Sequence, residues 1–213
     1  DETMRHVAEL IAVDFGSFNQ EGCANARVIS VQSGTDKAGL ERLNKLAEYT
    51  YEALQRLPVE ISEPVKVLDS ELKEEMLGIR DSSFYRIVGD IDNRGAVIVS
   101  QIPDPVDFAP LLACRVANFV PCDKIDEAVE LVTVHTQTIG VYPESLKKQY
   151  REKLAFMGGQ RIVSLGAHVL MNWSLPHDAM EPVRRLCRWI NDEDCSVDSF
   201  QAAAWPAQSC VAC

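Results

Sequence analysis

With 213 residues, 46% of them hydrophobic and 25% charged, the chain is long enough to close one well-packed domain, or one domain with a small appendage. Its formal net charge of −11 argues against nucleic acid and anionic membrane surfaces as main partners, since neither would attract it. No apolar run approaches the roughly 20 residues that span a bilayer, and seven scattered cysteines, an odd number, suit a reduced, cytoplasmic protein better than a disulfide framework.

The chain opens on Asp1 rather than Met, which leads us to expect part of a longer protein upstream. Met4, Val7 and Ile11 then repeat at helical spacing over residues 3–15. A polar, glycine-containing loop carrying Cys23 follows, and residues 26–32 alternate as a strand. Thr35 or Asp36 can cap a long helix with the stripe Leu40, Leu43, Ala47, Tyr51 and Leu54. Pro58 and Pro64 bracket a break before a more charged helix expected over residues 63–78. Strands are expected at 84–88 and 96–100, separated by the turn-rich Asp90-Ile91-Asp92-Asn93-Arg94-Gly95.

Pro103, Pro105 and Pro110 mark a loop, after which residues 111–120 read as a buried strand. Asp123 is expected to cap a helix with Ile125, Ala128, Val129 and Val132 on one face. A short strand at 138–141 precedes a helix after Pro143 with Leu146, Tyr150 and Leu154, stopped by Gly158-Gly159. Residues 161–165 return to strand. A last helix is expected over 178–190, burying Met180, Val183, Cys187 and Ile190, with a tail after Asp192. Strands alternating with helices of ten or more residues predict an α/β fold with a mainly parallel sheet flanked by helices.

Chemistry concentrates in Phe18-Asn19-Gln20-Glu21-Gly22-Cys23-Ala24-Asn25-Ala26-Arg27-Val28. A thiol among small residues and backbone N–H groups can be exposed and activated, whereas one in a helix stripe cannot. Cys23 is therefore the candidate nucleophile, against the plain alternative of an inert half-buried thiol. Asn19 can brace the loop as a turn residue or help to bind an oxyanion. Arg27 can pin the loop or meet an anion. Arg184, Arg185 and Arg188 can recognise a nucleotide or coenzyme A phosphate, or serve the helix dipole and local ion pairs ahead of Asp192, Glu193 and Asp194. His177 has Asp178 beside it, and His6, His135 and His168 fit no metal spacing, so no metal is expected. Cys210-Val-Ala-Cys213 lacks a second pair and reads as tail.

The order of helix, Asn-Gln-x-x-Cys-x-x-Ala-Arg-Val loop, strand and long helix resembles the catalytic domain of the aldehyde dehydrogenase superfamily. Val120-Pro121-Cys122-Asp123-Lys124-Ile125-Asp126-Glu127-Ala128 and Thr138-Ile139-Gly140-Val141 continue the similarity, so that residues 1–175 follow that domain in order. Two departures stand out. Gln20 occupies the place of a glycine three residues before the cysteine, and Leu111-Leu112-Ala113-Cys114-Arg115 replaces a Glu-x-Phe-Gly-Pro segment whose Glu holds the nicotinamide ribose. Together with Gly159-Gln160-Arg161-Ile162-Val163-Ser164-Leu165-Gly166 and the stretch Pro176-His177-Asp178-Ala179-Met180-Glu181-Pro182-Val183-Arg184-Arg185-Leu186-Cys187-Arg188-Trp189, they resemble the LuxC-type acyl-CoA reductases known from bacterial bioluminescence operons.

That resemblance implies an NADPH-dependent reduction of a long-chain acyl-CoA to a fatty aldehyde through an acyl group on Cys23. It implies residues 1–191 as the thiol-bearing catalytic domain, 192–213 as a tail, and a nucleotide-binding domain upstream. It also implies NADP(H) as cofactor, a homo-oligomer, and an acyl-transferring ligase as a partner. An aldehyde dehydrogenase working oxidatively and a non-catalytic oligomerisation fragment stay open beside it. A cysteine hydrolase using His177 or His168 finds nothing in the sequence that pairs either histidine with the thiol.

Overall fold

The computed structural model describes residues 1–170, 172, 175–188, 190 and 192. Its elements are α1 (Glu2–Gly16), β1 (Val28–Val31), α2 (Lys37–Gln55), α3 (Ser70–Ile79), β2 (Tyr85–Gly89), β3 (Ala96–Ser100), β4 (Val116–Pro121), α4 (Ile125–Glu130), β5 (Thr138–Val141), α5 (Glu144–Phe156), β6 (Arg161–Ser164) and α6 (Pro182–Leu186). Packing divides the chain into residues 1–179 and 180–213.

In the first unit the main sheet runs β1-β4-β3-β2. β1 is parallel to β4, with Val28 opposite Asn118, and β4 is parallel to β3, with Val116 opposite Ala96. Only β2 is antiparallel, pairing Tyr85 with Ser100 across β3. The expected α/β class with a mainly parallel sheet is therefore what the chain adopts. β3 and β4 are buried at every position, because helices cover both faces of the sheet and leave no side for water.

The two-residue period of a strand sorts their side chains into two cores. Val97, Val99, Ala117 and Phe119 meet Ala8, Ile11 and Phe15 of α1 and Leu43, Ala47 and Leu54 of α2. Ala96, Ile98 and Val116 point the other way, against Leu72 and Met76 of α3 and the loop residues Val106, Phe108 and Leu112. Each such large side chain contributes roughly 1.5–3 kcal/mol of burial. A second, two-stranded parallel sheet, β5-β6, packs Ile139 and Ile162 on Val129, Val132 and Leu154 from the α4 and α5 side.

Four expected elements are corrected. The second helix begins at Ser70 rather than at residue 63, because Asp69 is the residue that caps it, accepting from the N–H groups of Glu71 and Leu72. The Val65 N–H donates to Asn93 O at 3.1 Å, which holds the preceding segment outside the helix. The strand expected from 111 starts at Val116, since Cys114 and Arg115 are left-handed (φ 57° and 66°) and a strand cannot pass through that geometry.

Asp123 does not cap α4. Its carboxylate accepts from the Thr35 N–H at 2.8 Å and from the Thr35 hydroxyl, clamping the start of α2, and Lys124 takes the cap position. The last helix shrinks to Pro182–Leu186, and Met180, Cys187 and Ile190 are exposed rather than buried. The tail from residue 193, with Cys195 and the Cys210/Cys213 pair, lies outside the described residues, as do the three tryptophans.

Candidate active site

Cys23 lies in the crossing from α1 to β1, and that crossing is held in an expensive backbone shape. Phe18, Asn19 and Gln20 are consecutively left-handed, at φ 53°, 56° and 64°. For residues with a Cβ this costs about 1 kcal/mol each. The surroundings meet that cost with specific hydrogen bonds. Phe18 N–H donates to Ile61 O at 2.8 Å, and Asn19 Oδ1 accepts from the Glu63 N–H at 2.8 Å. The Gln20 side chain, buried, reaches across to β4: Oε1 accepts from Val116 N–H at 2.8 Å, while Nε2 donates to Val116 O and Ala26 O, both at 2.9 Å.

A left-handed φ explains why a glycine suits this position, and the three bonds explain what a glutamine adds there. Asn19 is thus placed against Glu63 as a brace, and the structure gives it no bond to the Cys23 turn.

Beyond Gln20 the chain makes a tight turn over residues 22–25, closed by Asn25 N–H donating to Gly22 O at 3.1 Å. Asn25 also holds the turn with its side chain. Its Oδ1 accepts from Gly22 N–H at 2.9 Å, and its Nδ2 donates to Ser17 O at 2.9 Å and Asp14 O at 3.1 Å. A Cβ at Gly22 would sit 2.7 Å from that Oδ1, so glycine leaves the room that the brace occupies. Cys23 and Ala24 form the tip, and Cys23 is exposed. Among the described residues neither of their N–H groups has an acceptor. An exposed thiol and two unused, fixed donors therefore share one turn.

Behind the turn sits a buried pair that joins residues far apart in the chain. Asp14, on the inner side of α1, accepts from Gly166 N–H at 2.7 Å and His168 N–H at 3.0 Å. His168 Nε2 lies 3.6 Å from Asp14 Oδ2, and His168 Nδ1 lies 3.1 Å from Ala24 O. Burial pushes the Asp14 carboxyl above its ordinary range and the His168 imidazole below its own, each partly offset by the other. Arg161 is the further charge beside them, with its guanidinium bound to the backbone oxygens of Ala167, His168 and Leu170. The sequence offered one signal for this pair, an acid within the apolar run Ile11–Phe15, and nothing to connect it to position 168.

The other thiols differ from Cys23. Cys122 is buried beside Glu127 and Asp123, and burial followed by those charges pushes its thiol up to about 11. We expect iodoacetamide at pH 8 to leave Cys122 unmodified in the folded chain and to label it after unfolding in urea, read by peptide mass spectrometry. Labelling of Cys122 at the rate of Cys23 in the folded chain contradicts that expectation. The remaining predicted groups have local partners or are exposed. His177 Nε2 lies 3.4 Å from Asp178, Arg184 pairs with Glu181 at 3.1 Å, and Arg185 and Arg188 are exposed. Among the described residues no three His, Cys, Asp or Glu side chains gather as metal ligands, and no helix is long and apolar enough to cross a membrane.

Residues 111–115 do not supply the ribose contact expected there from the resemblance. Leu111 packs towards the α3 core, and Arg115 is buried with its guanidinium donating to Leu54 O at 2.9 Å, so the segment offers no carboxylate to a ribose.

Comparison with known proteins places this geometry in context. A family model described as acyl-CoA reductase (LuxC) matches residues 1–189. A long-chain acyl-protein thioester reductase of Vibrio harveyi is 32% identical over 112 residues, 52% of this chain and 23% of that protein. One of Photorhabdus laumondii is 33% identical over 116 residues, 54% of this chain and 24% of that protein. The matched stretch is thus about a quarter of these relatives' length. Among solved structures, a putative methylmalonate-semialdehyde dehydrogenase from Sinorhizobium meliloti, complexed with NAD, superposes with a TM-score of 0.53 at 17% identity. The superposition covers 80% of this chain and 38% of that one, and it shows a shared aldehyde-dehydrogenase-like fold.

Proposed function

The chain belongs to the LuxC acyl-CoA reductase family, and on that premise we propose that Cys23 accepts the acyl group of a long-chain acyl thioester, from coenzyme A or a carrier protein, on the way to a fatty aldehyde. The observation that carries the proposal is the tip of the 22–25 turn, where an exposed thiol stands beside two N–H groups without acceptors among the described residues.

The thiolate attacks the thioester carbonyl, a carbon–sulfur bond forms, and the carbonyl oxygen takes up negative charge. The N–H groups of Cys23 and Ala24 are the donors available to that oxygen, held in place before the reaction by Asn25. Collapse expels the thiolate of the carrier and leaves the acyl group on Cys23. A hydride, two electrons carried with one proton, then adds to the acyl carbon, and breaking of the carbon–sulfur bond releases the aldehyde and returns the Cys23 thiolate. NADPH is the proposed source of the hydride, and no described residue is assigned to hold it. A homo-oligomer and an acyl-transferring ligase complete the proposal at the level of partners.

The test is intact-mass spectrometry after incubation with palmitoyl-CoA without reductant. One acyl adduct on the Cys23 peptide, discharged as aldehyde when NADPH is added to the full-length enzyme, supports the reading. Absence of any adduct, or turnover only from aldehyde with NADP+, overturns it.

A further inference from the structure

The Asp14–His168 pair takes no part in the acyl transfer described above, yet it touches the turn that carries the nucleophile. A backbone carbonyl can only accept, so the 3.1 Å approach of His168 Nδ1 to Ala24 O is a hydrogen bond only when Nδ1 bears the proton. The opposite nitrogen, Nε2, is buried without a hydrogen-bond partner among the described residues and faces Asp14 Oδ2 at 3.6 Å. The cavity is cut to this ring. A Cβ on Gly140 of β5 would lie 2.3 Å from Nε2, so glycine at 140 makes room for the imidazole. Both Asp14 oxygens are engaged by N–H groups, of Gly166 and of His168 itself, so the carboxylate cannot turn away from the ring.

An orphaned polar atom in such a site is costly to keep. Packing alone would be served by an apolar residue.

We propose that His168, oriented by Asp14, is a positioning residue for Cys23: its Nδ1–H fixes the Ala24 carbonyl and so aims the two free N–H groups of the turn. Asn25 holds the turn from the Gly22 side, and His168 holds it from the Ala24 side. The segment from Gly22 to Ala24 is then restrained at both ends, which is what a preorganised oxyanion site requires. Arg161 fixes the other side of His168 by binding its carbonyl at 2.6 Å. The inference rests on Cys23 being the acylated residue.

The test compares His168→Asn with His168→Gln in the full chain. The Asn side-chain nitrogen falls where Nδ1 does and keeps the donor to Ala24 O, whereas the Gln nitrogen falls nearer the place of Nε2 and loses it. Acylation of Cys23 by palmitoyl-CoA is expected to slow at least about 10-fold in His168→Gln and to return within about 3-fold of wild type in His168→Asn. Equal rates in the two variants overturn the proposal, because a role in packing alone does not distinguish them. A second measurement needs no substitution. In wild-type chain labelled with ¹⁵N-histidine, the His168 ring must carry its proton on Nδ1, and a ring protonated only on Nε2 overturns the proposal. A wild-type chain whose Cys23 takes no acyl group removes the functional reading itself, and this inference with it.

Discussion

Replacing Cys23 by alanine is expected to abolish the acyl adduct and to lower thioester-to-aldehyde turnover by at least about 10³-fold, the scale seen when a covalent nucleophile is removed. Stability should be unaffected, within about 0.5 kcal/mol, because the side chain is exposed and accepts no hydrogen bond from its neighbours. The two results together are the informative outcome. Loss of turnover with an unchanged urea midpoint assigns chemistry to the sulfur. Loss of both would make Cys23 a structural residue. Retention of the adduct on Cys114 or Cys187 would move the nucleophile elsewhere, since both are accessible to some degree.

Gln20→Ala should produce the largest loss of stability in the loop, about 2–4 kcal/mol. It strands the carbonyls of Val116 and Ala26 in a buried setting and removes one of the acceptors of the Val116 N–H. For a chain of this size that is a fall of roughly 5–10 °C in Tm. Gln20→Gly should be milder by about 1 kcal/mol, because glycine relieves the left-handed φ of 64° while losing the same bonds. This reverses the usual order, in which alanine is the safer replacement for a residue in a defined conformation. A urea series that ranks glycine below alanine, or a loss under about 0.5 kcal/mol, contradicts the role assigned to the amide.

The same loop shows which features could be read from residues and which could not. The exposure of Cys23 was legible because a thiol in a polar, small-residue loop has no apolar stripe to bury it. The cap of α2 was narrowed to Thr35 or Asp36, since capping is decided within four residues, and the structure gives it to Asp36, whose carboxylate accepts from Gly39 N–H at 2.7 Å. Asp69 and Asp123 show the limit of that logic. Both lie just before helices, and only one caps its own, because Thr35 competes for Asp123 across 88 residues. The strand expected from residue 111 failed for a related reason. Its composition is apolar throughout, but two left-handed residues at 114 and 115 are fixed by the burial of Arg115 and not by any turn signal.

What the sequence by itself determined is the local layer of this protein: the alternation of strands and helices, the parallel class of the sheet, and the isolation of Cys23 from helical stripes. These follow from period, propensity and turn chemistry, which act over a few residues. Only the tertiary structure decided what surrounds the thiol. Gln20 meets Val116 across 96 residues, and Asp14 meets His168 across 154. Such partners are chosen by how the sheet and helices stack, and the free energy of a buried polar group depends on who reaches it rather than on who precedes it in the chain.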